Sequence, residues 1–74
     1  MDYTQLMRSL REDHDLNQTA VARILNVAQT TYSDYETGKV RIPLESLICL
    51  ARFYNVDLNY ITGVSRVRRR FPTE

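Results

Sequence analysis

Seventy-four residues with two glycines, two prolines, one cysteine and a net charge of +1 describe one small helical domain, which buries only about 60% of its unfolded surface and so needs a well-packed core. The longest apolar run falls far short of the roughly 20 residues that span a bilayer, Met1-Asp2-Tyr3-Thr4-Gln5 lacks the basic and apolar regions of a secretory signal, and a lone cysteine excludes an intramolecular disulfide framework; these features fit the cytoplasm. The small net charge hides an asymmetry: residues 1–65 hold six basic and eight acidic groups, a balance of −2, whereas the last nine hold Arg66, Arg68, Arg69 and Arg70 against Glu74.

Asp2 is placed to cap a first helix, with Gln5 three residues later as the other half of a capping box. Leu6, Met7 and Leu10 form its inner stripe. Glu12-Asp13-His14-Asp15 ends the periodic pattern and reads as a loop, with His14 a solvated histidine that has no second His or Cys nearby at ligand spacing. Asn17 caps a second helix over Gln18 to about Leu25. A third runs from about Gln29 to Thr37, without a side-chain cap because Ala28 precedes it, and Gly38 stops it. Lys39-Val40-Arg41-Ile42-Pro43 is a basic connection, and Pro43 suits the first turn of a fourth helix. Leu44, Leu47, Ile48, Leu50, Ala51 and Tyr54 give that helix a broad apolar face, with Cys49 expected as a buried, inert thiol. Asn55 ends it. Asp57 caps a short fifth helix, Leu58 to Thr62, stopped by Gly63. Val64 to Glu74 has no clear period and is expected to be partly disordered, or ordered only by a partner. The chain divides into residues 1–63 and a basic tail, residues 64–74.

Residues 17 to 38 organise the rest. Ala22 is small where two helix backbones cross, and Asn26 tolerates the left-handed conformation a tight turn needs. Val21, Leu25, Val27, Tyr32 and Tyr35 fall beneath the turn, while Gln29, Thr30, Ser33 and Asp34 form a polar stripe on the outside. Small residue, turn residue and amide-and-hydroxyl face together suggest a helix-turn-helix that reads DNA.

The span Leu16-Asn17-Gln18 through Ala22, Leu25-Asn26-Val27, Tyr32-Ser33-Asp34-Tyr35-Glu36-Thr37-Gly38 and Pro43 resembles the lambda-repressor-like (Xre family) helix-turn-helix domain. Leu50 to Val56 and Tyr60-Ile61-Thr62-Gly63 look like its fourth and fifth helices, so the likeness covers roughly residues 3 to 63. It implies an all-α, five-helix domain that binds double-stranded DNA sequence-specifically, typically as a dimer on a two-fold site. It also implies that Arg11, in the first helix, pairs with Glu36 before the helix-three stop. Asn26 where the family has Gly, Ala28 in place of a cap, and acidic Asp34 on the outer face depart from the pattern.

The N-terminal part of the second helix of such a unit reaches base edges in the major groove, which singles out Ala28, Gln29, Thr30, Ser33 and Asp34. Gln29 could pair two-pronged with adenine, the methyls of Ala28 and Thr30 could touch thymine, Ser33 could bond a base or phosphate, and Asp34 could accept from cytosine or repel wrong registers. Asn17, Gln18, Arg23, Lys39 and Arg41 are the candidate phosphate contacts. The expected protein is a small transcriptional regulator, a repressor, with no catalytic activity, metal or cofactor, no evident small-molecule pocket, and a homodimer contact through the fifth helix and tail. A protein-interaction module on the same fold, of antitoxin or anti-repressor type, is the alternative, for which the near-neutral body leaves room. The arginine tail reads equally as an arm on DNA, a dimer strand carrying Val64, Val67 and Phe71, or a solubilising segment.

Overall fold

Asp2 starts the fold as its sequence position suggests: its carboxylate accepts from the Gln5 backbone N–H at 3.0 Å and from the Thr4 hydroxyl at 2.6 Å. The Thr4 bond, then the Gln5 bond, hold its carboxyl below the usual range. The computed structural model describes residues 2–72; Met1, Thr73 and Glu74, at the ends of the two expected segments, lie outside the described residues. Five helices follow in order: α1 (Tyr3–Asp13), α2 (Gln18–Leu25), α3 (Gln29–Thr37), α4 (Leu44–Tyr54) and α5 (Leu58–Ile61). No strand occurs among the described residues.

Three of the four connections use one device. A left-handed Asp or Asn closes the helix, an apolar residue follows, and the next residue caps the next helix. The left-handed residues are Asp15 (φ 55°), Asn26 (φ 58°) and Asn55 (φ 55°). Behind them, Leu16, Val27 and Val56 donate their N–H groups to Arg11, Ala22 and Ala51 carbonyls at 3.1, 2.9 and 3.0 Å. This six-residue closure satisfies carbonyls that the helix end would otherwise leave unpaired. Val56 is fully buried and Leu16 and Val27 pack against the core, so each turn is pinned from beneath. Asn17 and Asp57 then accept from Ala20 and Tyr60 backbone N–H groups, both at 2.8 Å. Ala28 does the same job with no side-chain bond.

The core lies where the inner faces of all five helices meet. Met7, Val21, Tyr32, Leu50, Ala51 and Ile61 are wholly buried, and Ala22 is 2% exposed at the α2–α3 crossing. Gly38 reverses the chain after α3 with φ 80°. A Cβ there would meet only Thr4 Cγ2, at an ordinary 3.7 Å, so backbone conformation rather than space calls for glycine.

Six expectations change. The first helix continues through Asp13, because His14 N–H reaches back to the Leu10 and Arg11 carbonyls. His14 is exposed but not free: Nδ1 lies 2.8 Å from the Leu10 carbonyl, and its ring is tilted against Tyr54 with centres 4.9 Å apart. Pro43 sits at the cap of α4 rather than in its first turn, and Leu44, assigned to the apolar face, is 66% exposed; it borders an open groove of about 500 Å³ that Tyr3, Arg41, Ile42 and Leu47 also line, a hollow the sequence did not suggest. Cys49 is half-buried rather than buried. The tail is not loose: residues 64–72 fold back over the α4–α5 turn, where Asp57 N–H donates to the Arg69 carbonyl at 2.8 Å and Phe71 packs against the core.

The left-handed turn at Asn26 predicts an order of stabilities. Asn26→Val should lower unfolding free energy by about 1–2 kcal/mol, the cost of a branched residue in that region, while Asn26→Gly costs clearly less. Urea unfolding checks it, and equal losses would contradict it.

Candidate nucleic-acid interface

α3 is amphipathic by placement rather than by strong hydrophobicity. Tyr32, Tyr35 and Glu36 are buried beneath it, Gln29 and Thr30 are exposed, and Ser33 and Asp34 are half-exposed above. Ala28, just before the helix, is exposed as well. The five candidate base readers thus form one continuous outward surface. The left-handed turn at Asn26 sets its angle to α2, and Val27 and Leu25, packed against the core, hold the elbow.

Gln18 opens α2 and Gln29 opens α3, and the fold brings these two first residues together: Gln29 Nε2 donates to Gln18 Oε1 at 2.8 Å. The sequence names both residues but not their bond; the available signal was a glutamine at the first position of each helix of the pair. Asn17 stands beside them, with its side-chain oxygen given to the Ala20 N–H. At the other end of α3, Val40 N–H donates to the Asp34 carbonyl at 3.1 Å. That bond ties the loop after Gly38 to α3 and places exposed Lys39 and Arg41 beyond its last turn. Arg23 is exposed on α2 and makes no ion pair among the described residues. The arrangement is a polar helix face with an amide pair at one end and two cations at the other.

Beneath this face is a polar clamp. Arg11 on α1 donates from Nε and NH2 to the two carboxylate oxygens of Glu36, at 2.9 and 2.8 Å, a two-pronged pair. Its NH1 donates to the Leu16 carbonyl at 2.9 Å. One guanidinium therefore joins the end of α1, the α1–α2 turn and the last turn of α3. The side chains are 13% and 4% exposed, so this is a buried pair. Burial pushes the Glu36 carboxyl up, but the bonds from Arg11 and its positive charge outweigh that and hold it below its ordinary value. The Glu36 bond likewise raises Arg11. The Tyr32 hydroxyl lies beside the carboxylate without a bond of acceptable geometry, and the Tyr54 hydroxyl is also buried without a partner. Burial first, and then Glu36, push both phenols up, Tyr54 to about 12. Among the described residues no group of His, Cys, Asp and Glu is arranged to hold a metal, and no helix is long and apolar enough to cross a membrane.

Residues 7–61 match the family model described as helix-turn-helix. The chain is 36% identical over 63 residues to the uncharacterized HTH-type transcriptional regulator YobD of Bacillus subtilis, covering 85% of this chain and 56% of that protein. It is 39% identical over 56 residues to the cryptic phage CTXphi transcriptional repressor RstR of Vibrio cholerae, covering 76% and 50%. The chain thus spans about half the length of these curated relatives. A solved structure of a transcriptional regulator from Listeria innocua matches with a TM-score of 0.81 at 24% identity, covering 89% of this chain and 62% of that one, a likeness of fold.

The clamp predicts two effects. Glu36→Ala leaves Arg11 buried and uncompensated and should cost about 3–5 kcal/mol of stability. Because the folded carboxyl binds its proton less readily than the unfolded one, the unfolded chain takes up more protons in acid, and stability falls as pH drops below the ordinary value of 4.5. Chemical unfolding of wild type and Glu36→Gln across that window checks it: the variant should lose part of this acid slope, and parallel profiles would contradict the linkage.

Proposed function

This chain belongs to the helix-turn-helix family, and we propose that it binds double-stranded DNA sequence-specifically as a small transcriptional regulator, a repressor, with α3 in the major groove. The observation that carries the reading is the outward surface of Ala28, Gln29, Thr30, Ser33 and Asp34, with Gln29 tied to Gln18 at 2.8 Å. A glutamine amide has two N–H protons and one acceptor oxygen. Gln29 gives one proton to Gln18 and keeps the other, with its oxygen, for the N7 and N6 positions of an adenine. Gln18, whose amide also lies against the Glu36 carboxylate, offers an N–H to a phosphate oxygen. The amide pair thereby couples base reading to backbone contact and fixes the Gln29 rotamer before DNA arrives.

The other roles follow from position. Ala28 and Thr30 offer methyls to thymine, Ser33 bonds a base or phosphate, and Asp34 accepts from cytosine N4 while repelling phosphate in wrong registers. Lys39 and Arg41 neutralise phosphates past the end of α3; Asn17 and Arg23 serve the strand near α2. A second copy seated through α5 and the start of the tail, where Val64 is 79% exposed, gives two-fold reading of a divided site. The protein acts by occupancy rather than chemistry. An interaction module of antitoxin type on the same fold is the second reading, and the −2 balance of residues 1–65 is what favours it.

Selection of bound fragments from random duplexes should return a defined half-site. The Gln29→Ala, Ser33→Ala double variant should fold normally and lose about 1–3 kcal/mol of discrimination for each good base contact removed. Lys39→Ala or Arg41→Ala should instead weaken all duplexes alike and lower the salt slope by about 1. No enriched sequence, with tight capture of a protein instead, would favour the second reading.

A further inference from the structure

The arginines after α5 are held in place by their own backbone. Ser65 N–H donates to the Asn59 carbonyl and Asp57 N–H to the Arg69 carbonyl, both at 2.8 Å. Phe71 N–H donates to Asn55 Oδ1 at 3.3 Å, and the Phe71 ring turns inward against the core with the Arg52 guanidinium 5.3 Å from its centre. The segment between these anchors carries Arg66, Arg68, Arg69 and Arg70, all exposed. Among the described residues the only ion pair they make is between Arg68 and Asp13, at 3.7 Å and with both side chains about half exposed.

We propose that residues 66–70 are a fixed, sequence-independent contact for the phosphate backbone of duplex DNA, a second binding surface beside α3; it rests on the DNA-binding reading of the domain. The charge distribution calls for it. Residues 1–65 carry a balance of −2, a body that repels a polyanion at long range, and the compensating cations are concentrated here. The placement suits it too. Arg68 reaches Asp13 in the last turn of α1, four residues before Asn17 and the start of α2, and the same turn of α1 is bolted to α3 through Arg11 and Glu36. Arg68 thus fastens the segment to the end of α1 from which the helix pair emerges. Because the anchors order the backbone in advance, binding does not have to pay for ordering it. The geometry disfavours a dimer strand: Phe71 faces its own core, so Val64, Val67 and Phe71 do not share an outward face, and the segment takes no strand conformation.

The test compares the full chain with an Arg66→Gln, Arg69→Gln, Arg70→Gln variant on a mixed-sequence duplex of about 30 base pairs, three helical turns, and on a duplex recovered by selection. The dependence of binding on salt and the mass in solution are measured for both. Each phosphate contact adds about 0.9 to the slope of log K against log salt, so the variant's slope should fall by about 2–3 on both duplexes, with the preference between them and the mass unchanged. An unchanged slope overturns the proposal, as does a fall that occurs only with a loss of assembled mass, or a wild-type chain that does not bind the mixed-sequence duplex at about 50 mM salt. The α3 reading fails separately: if Gln29→Ala keeps full selectivity while the arginine variant loses slope, base reading is wrong and the phosphate contact stands.

Discussion

The structure depends on one guanidinium. Arg11 holds both oxygens of Glu36 and the carbonyl of Leu16, joining α1, the turn after it and the last turn of α3. Apolar packing alone has little directional preference, and α3 is short and weakly amphipathic. A two-pronged ion pair with fixed planes supplies the direction: it sets the roll of α3 so that Tyr32 and Tyr35 go down and Gln29, Thr30 and Ser33 go up. Its desolvation cost is offset by the three charge-assisted bonds that Arg11 makes from Nε, NH1 and NH2.

The turns do the complementary work. Asp15, Asn26 and Asn55 each break a helix in the left-handed region, and the apolar residue after each one anchors the turn. The connections are therefore short and stiff, and the helices have few alternative ways to pack. Asn or Asp in place of glycine is tolerated because a short polar side chain suffers least there, and at Asn55 the side chain finds further use as the acceptor for the Phe71 N–H.

The parts that could be read from the sequence were those with local causes. α2 and α3 begin and end where expected because Asn17, Asn26 and Gly38 state their caps within a few residues. Tyr32 and Tyr35, buried under α3, followed from period alone. The Arg11–Glu36 contact spans 25 positions and came only through family resemblance, not from any local signal. The tail was misread as loose because its anchors join residues that are far apart in sequence, such as Asn55 and Phe71, 16 positions apart; composition saw four arginines and missed the aromatic bolt behind them. The Gln18–Gln29 bond was hidden in the same way, since each glutamine has its own plausible role alone.

What unites the fold and the proposed function is that the candidate base readers are a surface, not a pocket, and a surface must be held rigidly to discriminate between bases. The most direct test is to map backbone amide shifts by NMR as a selected duplex is added to the full chain. The account predicts the largest changes at residues 28–34, with Gln18, Lys39 and Arg41 next and the inner face of α4 silent. Changes centred on α4 or the groove beside Leu44, with residues 28–34 unmoved, would contradict it.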